Sequence, residues 1–170
     1  MNRDVLFSER QKFDQWWIWL LLLAANGFIV FGVYKQVLGG EQFGDKPTSN
    51  VGLLIAAGLT LLFTILFVSF RLETQVKNDG VYVRFFPFHL SYKHFTWDKI
   101  TKSYVREYQP ISEYGGWGIR MGLFGKGRAY NVSGHVGLQL EFHDHKKFLI
   151  GTRKPEELTT ALEKIGQIRK

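Results

Sequence analysis

The chain has 170 residues, a formal net charge of +7 and no cysteine. Without cysteine it forms no disulfide, no thiolate nucleophile and no zinc site of the cysteine type. The charge is uneven, since residues 1–70 hold five Lys or Arg and five Asp or Glu whereas residues 71–170 hold 17 and 10. The basic excess therefore lies in a C-terminal region long enough for one small domain, and the lack of a dense Lys/Arg tract argues against nucleic acid as a partner.

Residues 1–15 are a short polar and charged lead, and residues 16–38 are predicted to form the first membrane-spanning helix. A cluster of tryptophans at its start, Trp16, Trp17 and Trp19, is typical of an aromatic anchor at a membrane interface. The apolar stretch is longer than the core of a signal peptide, and no small-x-small cleavage site follows it. We therefore expect a retained helix rather than a cleaved signal.

A Gly-rich connector at residues 39–50 leads to a second apolar stretch, residues 51–70, which contains no charged side chain. Twenty helical residues span roughly 30 Å, the thickness of the hydrocarbon core of a bilayer. The two stretches together predict a helical hairpin in a membrane. Small residues such as Gly27 and Gly58 would let the helices approach closely, although glycine is also simply common in membrane helices.

The orientation of the hairpin is predicted from Lys and Arg near the helix ends. Three lie on each outer flank and two lie in the connector: Arg3, Arg10 and Lys12, then Arg71, Lys77 and Arg84, against Lys35 and Lys46. This bias places both termini and the basic region in the cytoplasm. We expect a multi-pass protein of the cell inner (plasma) membrane with residues 39–50 outside.

From residue 71 onward the apolar pattern changes to short runs of period two. Two hairpins are predicted, with turns at residues 79–80 and 144–145. Pro155 then begins a helix, because two glutamates follow it at the positive end and the apolar residues recur with helical spacing. We expect about seven antiparallel strands and one C-terminal helix. The apolar face of that helix is formed by Leu158, Ala161, Leu162 and Ile165.

Four segments of this region carry a family resemblance: FFPFH at 85–89, WDKI at 97–100, YGGWGIR at 114–120 and IGTRKPEEL at 150–158. Behind two apolar helices, they resemble the bacterial pleckstrin-homology-like (PH-like) proteins of unknown function. The resemblance implies a role in binding or scaffolding, without enzymatic activity or a cofactor. The expected fold is two transmembrane α-helices in a hairpin, followed by a mainly-β PH-like domain over residues 71–170.

The segment YGGWGIR is the most unusual local sequence and provides a candidate interaction surface. Its glycines permit backbone conformations that a side chain would block, which would present Trp117 and Arg120 to a lipid, a peptide or another subunit. Tyr114 and Arg128 complete the predicted surface. The alternative is a glycine-rich turn with Trp117 buried in the domain.

Arg71, Lys77 and Arg84 are the candidate contacts with membrane headgroups. Arg71 directly follows the second apolar stretch, and the resemblance implies that Lys77 and Arg84 flank the hairpin where eukaryotic PH domains place headgroup-binding cations. Each basic residue near an anionic surface contributes about 1 kcal/mol to attraction. The alternative is a solvated basic surface.

His143, Asp144 and His145 suggest a metal site, because imidazole and carboxylate are both good ligands. Neighbouring strand residues point to opposite faces, however, and residues 144–145 fall where the hairpin turns. A solvated polar turn is the preferred interpretation, and no metal site is predicted. The histidines that would have to join such a site are His89, His94 and His135.

These patterns predict a non-enzymatic integral membrane protein whose PH-like domain mediates protein–protein interaction or self-assembly at the membrane surface. The expected partners are membrane lipid and either further copies of the chain or a larger membrane complex of which it is an accessory subunit. One alternative is a domain that binds anionic lipid headgroups. A second is a metal-dependent membrane enzyme centred on the histidines.

Overall fold

The structure is a computed structural model that describes residues 5–122 and 125–168. Arg3, one of the charges used for the orientation, lies outside the described residues. The chain divides into two compact units. Residues 14–69 form a helical unit, and the residues before and after them together form a β-domain.

The helical unit contains the two helices predicted from the apolar stretches. Helix α1 covers Trp16–Val33 and continues as a π-helical turn over Tyr34–Leu38, and α2 covers Asn50–Ser69. Both are long and apolar enough to cross a membrane, and only 6% of each apolar window is buried within the protein. Their exposed apolar surfaces distinguish them from the core helices of a soluble domain.

Polar and aromatic contacts join α1 to α2. The Asn26 amide donates hydrogen bonds to the Leu22 carbonyl at 2.7 Å and to the Thr64 hydroxyl at 2.8 Å, so the most polar residue of α1 is satisfied inside the unit. Trp19 packs edge-on against Phe67. Gly27 and Gly58, by contrast, have open space where a side chain would stand, so they do not mediate a close approach within this unit.

The β-domain contains nine strands among its described residues, in two sheets. The first sheet has the order β1-β2-β3-β4 and the second β5-β8-β9-β7-β6. All pairs are antiparallel except β7 with β9. The strands are β1 (Val5–Lys12), β2 (Arg71–Lys77), β3 (Gly80–Phe86), β4 (Lys93–Thr96), β5 (Ile100–Glu107), β6 (Gly118–Met121), β7 (Arg128–Asn131), β8 (Val136–Phe142) and β9 (Lys147–Gly151).

The expectation of about seven antiparallel strands is therefore corrected, because β7 and β9 pair in parallel and two of the nine described strands were not predicted. One of the two is β4, which a 3₁₀ turn at Trp97–Lys99 separates from β5. The other addition is β1, which comes from the lead at residues 1–15 and extends the β-domain beyond its predicted range of 71–170. Both predicted hairpins, β2–β3 and β8–β9, are confirmed.

The sequence pattern did not predict strand β1, because two of its inward-facing residues are polar. Phe7, Glu9 and Gln11 are buried on one face of the strand. The Glu9 carboxylate accepts hydrogen bonds from the Thr152 hydroxyl at 2.6 Å and the Arg153 amide at 2.9 Å, and the Gln11 amide donates to the Gly151 carbonyl at 2.7 Å. These hydrogen bonds offset the desolvation of the Glu9 carboxylate and the Gln11 amide nitrogen, whereas Gln11 Oε1 is buried without a hydrogen-bond partner among the described residues.

The predicted C-terminal helix is confirmed as α4 (Pro155–Lys164). Leu158, Ala161 and Leu162 are buried on its inner face, and the helix contacts β1, β2 and β5. A five-residue helix, α3 (Pro110–Tyr114), joins β5 to β6. The core between the sheets is formed largely by residues of β2, β3, β8 and β9 together with α4.

The burial of Phe7 predicts that β1 stabilises the domain. Phe7→Ala should lower the free energy of unfolding by about 3–5 kcal/mol, because it removes a core ring and leaves a cavity. The control Ser8→Ala alters the exposed neighbour on the same strand. Thermal unfolding of the full chain in detergent micelles, followed by near-ultraviolet circular dichroism, measures both variants. Equal midpoints for the two would show that β1 does not belong to the folded core.

Candidate functional site

The segment predicted as an interaction surface folds mainly as a structural turn. Tyr114, the last residue of α3, is 2% exposed and therefore packs inside the domain instead of presenting a contact. Gly115 caps the helix with a left-handed φ of +69°, which favours glycine. Trp117 is half-buried, and its indole N–H donates to the Gly134 carbonyl at 3.3 Å.

An ion pair behind this turn holds α3 in place. The Arg106 guanidinium donates to the Glu113 carboxylate at 2.8 Å, and the Glu113 carboxylate also accepts from the Gln109 amide at 2.9 Å. Chiefly through the hydrogen bond from Arg106, the pKa of Glu113 is lowered below its ordinary value. These bonds account for the ordered turn without any ligand.

The two arginines predicted for the same surface are not brought together. Arg120 pairs with Ala129 and Met121 pairs with Arg128, so the arginines occupy opposite faces of the β6–β7 ribbon. The Arg120 guanidinium donates to the Trp117 carbonyl at 2.8 Å. Arg128 lies instead on the same face of the ribbon as Met121, and this face is directed towards the space between the two sheets.

The predicted headgroup cations Arg71, Lys77 and Arg84 lie on the outer face of the first sheet. Two of them, Arg71 and Arg84, form ion pairs with Glu73. Glu73 stands between Arg10 of β1 and Arg84 of β3 in the strand register. Arg84 Nε donates to Glu73 Oε2 at 2.9 Å, and Arg71 Nε lies 3.0 Å from Oε1. Tyr92 donates a further hydrogen bond at 2.8 Å. Lys77 lies apart from this group, with its ammonium over the Tyr82 ring.

The neighbours of the Glu73 carboxylate favour its charged form. Burial by itself would raise its pKa, but hydrogen bonds from Arg84 and Tyr92 and the charges of Arg84 and Arg71 outweigh burial, so the pKa is lowered. The network is therefore a structural one in which one carboxylate neutralises part of a cationic surface.

The histidines are dispersed over several separate contacts. His143 Nε2 lies 3.1 Å from the Asp98 carbonyl, while the Asp144 carboxylate pairs with Lys146 at 2.6 Å. His94 stacks on Tyr82 with a ring separation of 4.0 Å. Within residues 5–122 and 125–168, no three His, Asp or Glu side chains converge in a geometry that could hold a metal ion.

A cleft lies between the two sheets of the β-domain. It has a volume of about 910 Å³ and runs along β4, the inner face of the second sheet and the β8–β9 turn. Phe95, Phe142, Phe148 and Met121 supply an apolar floor. The charged residues that line it are Lys93, Lys99, Arg128, Lys146 and Lys147, with Asp144 as the one carboxylate among the described lining residues.

A buried tyrosine supports the inner end of the cleft. The Lys93 ammonium donates to the Tyr130 hydroxyl at 2.5 Å, and His89 Nε2 lies 3.2 Å from the same oxygen. Burial, followed by the charge of Lys93, lowers the pKa of His89. Lys93 thus joins β4 to β7 across the gap between the sheets and keeps a positive charge at the cleft.

Sequence reasoning identified only Arg128 among the cleft cations. The lining comes from three separate segments of the chain: β4 with the 3₁₀ turn that follows it, the β6–β7 region and the β8–β9 hairpin. The adjacent lysines at 146 and 147 were the one local signal. Only the sheet order, which places β9 beside β7, brings these lysines to the same cleft as Arg128.

No protein-family model matches this chain, and no curated protein matches it at a significant level.

The Glu73 network predicts a pH-dependent contribution to stability. Glu73→Gln should cost about 1.5–3 kcal/mol at neutral pH, the range for hydrogen bonds to charged groups. Because the folded pKa is depressed, the carboxylate stabilises the domain above about pH 4.5, and this stabilisation is lost as the pH falls through the lower folded value. The midpoint difference between wild type and Glu73→Gln in thermal unfolding should therefore shrink below that pH.

Glu163→Gln serves as the matched control because Glu163 is exposed on α4. It should leave the unfolding midpoint nearly unchanged at both neutral and acidic pH. A Glu73→Gln difference that stays constant from pH 7 to pH 3 would contradict the assigned charge network.

Proposed function

We propose that this protein is a non-enzymatic integral membrane protein whose β-domain is PH-like and binds another protein, or a further copy of the chain, at the membrane surface. Two sheets closed by a C-terminal helix support the PH-like assignment, with β1 as an addition. The single observation that carries the function is the cationic cleft with its aromatic floor. Such a lining suits an occupant that offers both negative charge and apolar side chains.

The pairing of β1 with β2 supports the hairpin topology. Residues 5–12 and 71–77 lie in one sheet, so they must lie on the same side of the membrane. Two crossings by α1 and α2 satisfy that requirement. The bias of flanking Lys and Arg residues favours the cytoplasmic side of the inner membrane for the β-domain.

An anionic-lipid contact is the second candidate function, and the strand register favours it. Lys12 pairs with Arg71, and the chain enters α1 four residues after Lys12 and leaves α2 two residues before Arg71. Basic residues so close in sequence to both spans would meet the headgroup layer. Exposed Phe88 and Leu90 in the β3–β4 loop of the same domain supply apolar groups for such a surface.

The topology is testable with single cysteines, since the native chain has none. Ser49→Cys lies in the connector and Lys102→Cys on β5, and both positions are exposed. A membrane-impermeant maleimide applied to intact cells should label position 49 and spare position 102. Permeabilised cells should show labelling at both. Labelling of position 102 in intact cells, with protection at position 49, would show that the protein has the opposite orientation in the membrane.

The binding function is testable by native mass spectrometry of the full chain extracted in mild detergent. We expect a species heavier than the monomer by the mass of a protein partner or a further copy. Lys99→Glu and Arg128→Glu, which reverse cleft charges, should release that mass, whereas Lys164→Glu on exposed α4 should retain it. A monomer that carries only anionic lipid would favour the second candidate, and a bare monomer would contradict both.

A further inference from the structure

The two sheets of the β-domain differ in width, and β4 is the edge strand of the first sheet that lines the cleft. The first sheet has four strands and the second has five. Among residues 5–122 and 125–168, β4 pairs with β3 alone, so its other edge carries no strand. A free edge presents backbone N–H and C=O groups in the spacing that another strand would pair with.

The face opposite that free edge is apolar and uncovered. Ile119 and Met121 of β6 are 40% and 71% exposed, and Met121 lines the cleft. In the strand register they share a face with Arg128 and Tyr130 of β7. A further strand beside β4 would cover this part of the second sheet and complete the sandwich.

The cleft has the volume of a short strand. Strand residues rise about 3.3 Å, lie about 4.8 Å from the next strand and pack about 10 Å from a facing sheet, so each occupies roughly 160 Å³. A cleft of about 910 Å³ therefore holds roughly five or six extended residues. This length exceeds the four residues of β4 only slightly.

The charges at the cleft select an acidic occupant. Lys146 is paired with Asp144, and Lys147 lies 3.6 Å from the Glu141 carboxylate. Lys99 and Arg128 also line the cleft, and no carboxylate of the described residues forms an ion pair with either of them. Arg128 faces inward beside Phe148 in the β7–β9 register, so charge and aromatic surface adjoin. An acidic side chain placed beside Arg128 would replace water at the guanidinium group and accept a charge-assisted hydrogen bond from it.

We propose that the cleft binds an extended acidic segment of a partner protein, which adds as a fifth strand to the free edge of β4. Its backbone pairs with residues 93–96. Its inward side chains include an apolar residue against Phe95, Phe142 and Phe148, and an acidic residue against Arg128. This inference rests on the proposed binding function and specifies the chemistry of the partner.

The test uses the full chain in nanodiscs of neutral phosphatidylcholine and a fluorescein-labelled octapeptide, Glu-Thr-Val-Thr-Glu-Thr-Val-Thr (the Glu–Val peptide), whose Glu and Val residues share one face of an extended strand. Fluorescence anisotropy should show saturable binding, at least tenfold tighter than for the matched Lys–Val octapeptide. Arg128→Glu and Lys99→Glu should each weaken binding at least tenfold, and Lys164→Glu should not. Hydrogen exchange should slow at residues 93–96 when the Glu–Val peptide is bound. Exchange protection of β2, β3, β8 and β9 without peptide verifies that each variant is folded.

Two further peptides test strand addition itself. Both keep the side chains of the Glu–Val peptide, but one is N-methylated at every Thr and the other at every Glu and Val, so each loses the N–H hydrogen bonds of one edge. At least one should bind at least tenfold more weakly. Equal binding of all three peptides, or binding without slower exchange at residues 93–96, would overturn strand addition.

The experiments distinguish a failure of strand addition from a failure of the proposed binding function. If the charge-reversal variants release the native partner in mass spectrometry while the methylated peptides bind normally, the binding function stands and strand addition is wrong. If phosphatidylglycerol in the nanodisc displaces the Glu–Val peptide and protects the cleft in its place, the occupant is an anionic lipid and the peptide proposal is overturned.

Discussion

The hydrogen bonds that hold β1 in the β-domain are the constraint on which the rest of the structure depends. Glu9 and Gln11 bond to the segment that links β9 to α4, and β1 pairs along its length with β2. The chain therefore begins the domain, leaves it for two apolar helices and returns to the neighbouring strand. The domain cannot be separated from the helical unit by a single cut after residue 70 without losing a strand and the core ring of Phe7.

The position of β1 also determines at which strands the first sheet ends. Strand β1 extends the first sheet at the edge near α4, where Glu9 and Gln11 find partners, and the opposite edge ends at the four-residue β4. The second sheet continues past β9 to β7 and β6. Apolar residues on this extension are left without a facing strand. The cleft is thus a consequence of sheet order, and its aromatic floor continues the domain core.

The basic excess of the C-terminal region divides into two surfaces with different chemistry. On the outer face of the first sheet, Glu73 accepts from Arg84 and pairs with Arg71, which ties adjacent strands together. At the cleft, Lys99 and Arg128 have no such carboxylate among the described residues. Charge of the first kind stabilises the fold, whereas charge of the second kind is available for a ligand. Net charge alone did not distinguish them.

Local patterns were sufficient for the elements whose partners lie nearby or are not needed. The uncharged run at residues 51–70, the two hairpin turns and the helix after Pro155 were predicted because period, turn residues and capping residues act over a few positions. The predicted contact surface stays a prediction, and the structure separates its members. Arg120 and Arg128 are exposed, but β-pairing sends them to opposite faces, and Tyr114 is buried by contacts with other segments.

What the sequence by itself determined is the presence of two apolar helices long enough to span a bilayer and of a basic, mainly-β region with a terminal helix. Only the tertiary structure decided that residues 5–12 form a strand and that three separate segments line one cleft. The physical reason is the same in both cases. A buried Glu or an uncovered sheet face is defined by partners more than a hundred residues or several strands away, and short-range periodicity carries no information about them.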